Sequence, residues 1–134
     1  MNKEFVNYNQ ALKLKELGFD EPCFGFYQLE YGEIRPIMVD DNEQYRLTGY
    51  RTCKNSEIPK HYTSAPTFSQ AFRWFREKYG MIFTLIASTY YYPSVSFINT
   101  DGNSEIELGE FETYEEAELA CLDKLIEIVE SKSE

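Results

Sequence analysis

The chain holds one histidine and one tryptophan among 134 residues, and its three cysteines form an odd set without CxxC spacing. Each shortage removes a class of function. Cys23, Cys53, Cys121 and His61 are too scattered along the sequence to compose a zinc site. His61 could serve as base to a Cys53 thiol, but two residues in one loop do not make a nucleophilic pair, and a solvent-facing histidine accounts for it. There is no glycine-rich phosphate loop, no serine elbow and no HExxH helix. Carboxylate neighbours such as Asp40/Asp41 and Glu115/Glu116 are so numerous that none stands out as an acid–base pair. These gaps point away from an enzyme and imply no cofactor and no metal. The opening MNKEFVNYNQ lacks an apolar signal core, and no run approaches the length of a membrane span. Reduced thiols in the cytoplasm, without a membrane partner, are the expectation.

What the chain does hold is aromatic bulk, with 11 Tyr and 10 Phe, and an uneven charge. The net charge of −10 hides a positive middle: residues 46–78 carry seven basic side chains and two acidic ones. Residues 79–100 carry no charge, and residues 101–134 carry twelve acidic side chains against two basic. The length suits one domain spanning 1–134, large enough to bury a core without a disulfide.

The core is organised around Ser64–Gly80, SAPTFSQAFRWFREKYG. Thr67 and Gln70 have capping-box spacing, and Pro66 keeps Ala65 out of the helical region. Phe68, Ala71, Phe72, Phe75 and Tyr79 fall on one helical face, with Arg73, Arg76 and Glu77 opposite. Gly80 supplies the stop, and Met81 can return onto Phe75. Asn7 and Gln10 open an earlier helix with Ala11, Leu14 and Leu17 inward, closed by Gly18 with Phe19 against Leu14. Thr113 and Glu116 open a third, which buries Tyr114, Ala117, Cys121, Leu125 and Ile128, widened by Leu122 and Val129, and ends near Glu130 ahead of a frayed tail.

Strands are expected at Cys23–Tyr31, Ile34–Val39, Met81–Tyr91, Ser94–Thr100 and Glu105–Phe111. Pro36 confines the second to a sheet edge. The uncharged third segment of this kind, MIFTLIASTYY, reads as a central strand broken by Pro93. Asp101-Gly102 is a hairpin turn, after which Ile106 and Leu108 point inward and Glu105 and Glu107 outward. Asp40–Ala65 is an irregular basic loop, with a short strand conceivable at Gln44–Cys53. The class is therefore α+β: a mainly antiparallel sheet of about five strands with three helices on one face.

Three blocks, NYNQALKLKELGFDEPC, APTFSQAFRWFREKYG and FETYEEAELACLDKLIEIV, cover 52 of the 134 residues. As a set they resemble a family of short uncharacterised proteins found in gut-bacterial and phage or prophage genomes. The resemblance implies a mobile-element context and supplies no catalytic residues.

The charge layout then suggests where a partner would sit. Arg46, Arg51, Lys54, Lys60, Arg73, Trp74, Arg76 and Lys78 form the candidate partner-binding set, with one or more rings of Tyr90–Tyr92 exposed beside it. The reading is a protein-interaction module meeting a second copy, as a homodimer, or a host or phage protein. The alternative is a single-stranded nucleic-acid binder that adds Tyr45, Tyr50 and Tyr62 as stacking platforms. In a third arrangement, acidic residues of the last helix neutralise the basic segment internally.

Overall fold

Asn7 opens the first helix, α1 (Tyr8–Glu16), through a reciprocal cap. Its Oδ1 accepts from the Gln10 N–H at 2.8 Å, and Gln10 Oε1 accepts from the Asn7 N–H at 3.1 Å. At the other end Gly18 takes φ 96°, a left-handed conformation that suits glycine. The Gly18 N–H then reaches the Lys15 carbonyl and the Phe19 N–H the Leu14 carbonyl, which satisfies two of the helix's last acceptors. Phe19 and Leu14 are both buried, as their spacing predicts.

The computed structural model describes residues 4–28, 36–38, 52–99 and 102–133. The expected turns at Tyr31-Gly32 and Asp101, most of the Gln44–Cys53 segment, Arg46 and Arg51 lie outside the described residues. Two compact units make up the chain, Met1–Thr67 and Phe68–Glu134. The class is α+β, with three helices and only antiparallel strand pairs, and the strands are divided between two sheets of three.

In the first unit, β1 (Gly25–Gln28) lies between β2 (Pro36–Met38) and β3 (Tyr62–Ser64). Pro36 sits on an edge strand, as its missing N–H requires. β3 falls inside the stretch expected to be irregular. It forms because Asn55, at the start of a single 3-10 turn (Asn55–Glu57), ties two distant segments together. Asn55 Nδ2 donates to the Phe19 carbonyl at 2.9 Å, and its Oδ1 accepts from the Ser64 N–H at 2.8 Å. With β3 on one side of β1 and β2 on the other, no edge of β1 is left for a strand from the second half of the chain. Phe26, Cys53 and Ile58 pack into a small core under Tyr62.

The second unit opens with α2 (Phe68–Tyr79), which starts directly after Thr67. Gly80 ends it at φ 68°, and the Met81 N–H reaches back to the Phe75 carbonyl at 3.3 Å. β4 (Ile82–Ala87), β5 (Tyr91–Asn99) and β6 (Gly102–Glu107) follow in sheet order β4-β5-β6. α3 (Tyr114–Ser133) closes the chain, running past the expected end at Glu130. Its Thr113 Oγ1 accepts from the Glu116 N–H at 3.1 Å, the cap that the spacing predicts.

Both helices of this unit pack on one face of its sheet. Phe72 of α2 stacks on Phe83 of β4 at 4.5 Å, and Lys132 of α3 lies over the Phe97 ring of β5 at 5.3 Å. Phe75 is fully buried, while Phe72 is half-buried. The buried stripe of α3 is Ala117, Cys121, Leu122, Leu125, Ile126 and Val129. Tyr114 and Ile128, assigned to it from spacing, are displaced. Tyr114 is exposed and meets Tyr91 edge-on, and Ile126 takes the inward place expected of Ile128.

Two strand expectations are corrected. The uncharged strand is an edge of the sheet instead of its centre, and Pro93 lies within β5, the central strand, instead of ending a strand. Ser88–Tyr90 makes the turn between β4 and β5, which takes Tyr91 and Tyr92 out of the first strand and into the second. Lack of charge does not tell which strand has neighbours on both sides, nor that its side chains are covered, since Ile82, Thr84, Ile86 and Ala87 are exposed.

Candidate functional site

The basic segment runs across both units. Its described members separate between the two units, with Lys54 and Lys60 in the first and Arg73, Trp74, Arg76 and Lys78 in the second. Arg73, Arg76 and Lys78 are all exposed, with Arg73 and Arg76 on one side of α2 and Lys78 farther round, one turn on from Trp74. Trp74 turns the other way. It is 7% exposed, with its ring edge-on to Phe75 at 5.1 Å and to Tyr79 at 5.6 Å. An accessible anchor role for Trp74 is therefore corrected. Lys78 is drawn over it, with Nζ at 5.0 Å from the indole and 5.6 Å from the Tyr79 ring, a cation–π position. Among the described residues the basic side chains of α2 pair with no carboxylate of α3, whose ion pair there is Lys124–Glu127 at 3.3 Å. Of the rings expected to stack on nucleic-acid bases, Tyr62 packs on Phe26 and His61, while Tyr45 and Tyr50 lie outside the described residues.

The thiols are placed against chemistry. Cys23 and Cys53 face each other in an antiparallel bridge, exchanging both backbone hydrogen bonds at 2.8 and 2.9 Å. Both are fully buried, and burial pushes the Cys23 thiol up to about 12 and the Cys53 thiol to about 11. Cys121 is likewise raised by burial, with Glu118 adding to it, to about 12. A thiolate is the reactive form, so burial holds Cys53 in its less reactive thiol form. Among the described residues no group of histidines, cysteines and carboxylates could hold a metal ion, and no helix is long and apolar enough to cross a membrane.

The surface that remains unaccounted for is the face of the second sheet away from its helices. Strand alternation puts Phe83, Leu85, Val95 and Phe97 toward α2 and α3. It leaves Ile82, Thr84 and Ile86 of β4, Tyr92, Ser94 and Ser96 of β5, and Glu105 and Glu107 of β6 on the other side. Ile82 is 50% and Ile86 66% exposed, and Tyr92 stands beside Ile86 across the ladder. At one end this face sinks into an open cleft of about 530 Å³, where Ile86, Tyr92 and Ser94 meet Glu105, Glu107 and Glu110. Three carboxylates give the cleft a negative field, which suits a basic side chain and opposes phosphate.

The edge beside this face is open as well. Tyr91 exchanges both of its backbone hydrogen bonds with Phe111, and the Pro93 carbonyl accepts from the Leu108 N–H at 3.0 Å. Those odd-numbered positions of β5 therefore turn their polar groups away from β4. Their partners Ala87, Leu85 and Phe83 must then point N–H and C=O outward, past the sheet edge. Among the described residues no strand pairs there.

Tyr92 belongs to the Tyr90–Tyr92 run expected to expose a ring, and it does, whereas Ile82, Thr84 and Ile86 were not among the candidates that charge and motif selected. The one signal for them in the sequence is that IFTLIA is apolar at both odd and even positions. A strand backed by helices on one face alone does not need that. No protein-family model, curated protein or solved structure matches the chain.

Proposed function

We propose that the chain is a non-enzymatic protein-interaction module of phage or mobile-element type, and that it meets its partner through the helix-free face of its second sheet. The observation that carries this is the exposure of Ile82 and Ile86, 50% and 66%, on a strand without charge. Folding in water favours covering such side chains, at about 25 cal/mol per Å² of apolar surface. Isolated exposed apolar residues are ordinary, whereas an aligned pair flanked by Tyr92 and bordered by glutamates has the apolar centre and polar rim of an interface. The acidic border favours a protein partner over a nucleic acid, since phosphates would meet Glu105 and Glu107. The exposed guanidiniums of Arg73 and Arg76 then act in solubility and long-range attraction, outside the contact itself.

The test is capture of partners on immobilised wild-type protein, on an Ile82→Ser/Ile86→Ser variant and on an Arg73→Glu/Arg76→Glu variant. Loss with the isoleucine variant and retention with the charge-reversed one is the expected result. Retention by the isoleucine variant contradicts the reading, and so does loss with charge reversal alone.

A further inference from the structure

We infer that the partner of this face is a second copy of the chain, joined by antiparallel pairing of β4 with the partner's β4. The inference rests on the interaction-module reading and names its occupant. Phe83, Leu85 and Ala87 present a row of outward N–H and C=O groups, and among the described residues nothing takes them up. An exposed edge of this kind is a template for another strand.

Three features select a copy of this chain. The first is register. Side-chain alternation and the outward row must both match, and both do when a two-fold axis passes beside Thr84. Phe83 then lies opposite the partner's Leu85 and exchanges both backbone hydrogen bonds with it. Thr84 lies opposite the partner's Thr84 in the closer, non-bonded position. In that arrangement Ile82 stands against the partner's Ile86, and Ile86 against the partner's Ile82. These two exposed aliphatic side chains cover each other twice on one face.

The second feature is charge. A chain of net charge −10 repels its own copies, so a self-contact needs a surface where that charge is missing. Residues 79–100, which include all of β4 and its turn, carry none. The opposite edge, β6, carries Glu105 and Glu107, which would face like charges in any pairing of that edge with itself.

The third is distance. In the joined six-stranded sheet the two β6 strands lie about five strand spacings apart, roughly 24 Å. That exceeds the Debye length of about 8 Å at physiological ionic strength, so their repulsion is screened.

Sedimentation equilibrium on the full chain tests this with Thr84→Lys and Thr84→Cys. Thr84 is exposed and its backbone bonds run inward, so neither substitution disturbs the fold. The wild type is expected at twice its 15.8 kDa at high concentration. Thr84→Lys, with two ammonium groups face to face on the axis, should raise the dissociation constant about tenfold or more. Thr84→Cys should form an intermolecular disulfide under diamide, whereas the wild type, with all three thiols buried, should not. A wild type monomeric at every concentration, a Thr84→Lys dimer of unchanged strength, or a dimer that Thr84→Cys does not cross-link each overturns the inference. The first outcome leaves the interaction-module reading standing if the isoleucine variant still loses a foreign partner. Loss of that dependence too removes both.

Discussion

Leu85 lies directly opposite Pro93 in the ladder between β4 and β5, at a pair that no backbone hydrogen bond crosses. This relationship explains how a proline occupies a central strand. The missing N–H would have faced β6, where the Pro93 carbonyl still accepts from Leu108. It also fixes the edge, because the groups that Leu85 does not offer to Pro93 it offers outward.

Amide exchange reads this alternation directly. Ile82, Thr84 and Ile86 should be protected at all concentrations, since their N–H groups pair with β5. Phe83, Leu85 and Ala87 should exchange rapidly in dilute protein and slow down as concentration rises. Equal protection of both sets in dilute protein contradicts the assigned alternation.

The core around α2 gives a graded prediction. Phe75 is fully buried, so Phe75→Ala should cost about 3–5 kcal/mol in denaturant unfolding. Phe72, half-buried on Phe83, should cost less when truncated. Equal losses would mean that the stack on Phe83 matters as much as complete burial.

Caps supply a smaller, local effect. Asn7→Ala removes the acceptor for the Gln10 N–H and should lower stability by about 1 kcal/mol. Asn7→Asp, which keeps an acceptor, should recover most of that loss.

Alkaline stability follows from the thiols. Cys23, Cys53 and Cys121 move from an ordinary 9.0 to about 12, 11 and 12, because burial disfavours the thiolate. Tyr27 moves in the same direction, from 10.0 to about 12. The folded chain therefore keeps protons that the unfolded chain releases. Stability should be level below pH 9.0 as far as these groups are concerned, and fall as pH climbs toward 12. The urea midpoint followed upward from about pH 8 checks the sign, and a midpoint that rises above pH 9.0 contradicts it. By the same argument, native protein should resist alkylation at neutral pH until it unfolds.

Much of this fold was legible because it is local. Asn7 with Gln10, Phe19 with Leu14 and Thr113 with Glu116 each act within a few residues, and all three pairs are hydrogen-bonded. The inward set Phe68, Ala71 and Phe75 is equally a matter of helical period. What spacing cannot carry is adjacency between distant segments. β3 exists because Asn55 holds Ser64, and three residues between His61 and Ala65 have no period of their own. The edge position of β4 depends on which strands lie beside it, and its own residues are silent on that. Trp74 borders both faces of the helix by its position, and only the packing of Phe75 and Tyr79 decides that its ring turns to the core. For the candidate surface, charge drew attention to residues 46–78, while the informative feature was the uncharged run that follows.

The salt dependence of wild-type self-association tests the central claim most directly, because the two kinds of contact differ in sign. If acidic chains join through an uncharged edge, raising ionic strength from about 0.01 M to 0.15 M shortens the Debye length from about 30 Å to 8 Å and should tighten the dimer. If the basic side chains of α2 dock on acidic surface of a second copy, the same change should loosen it.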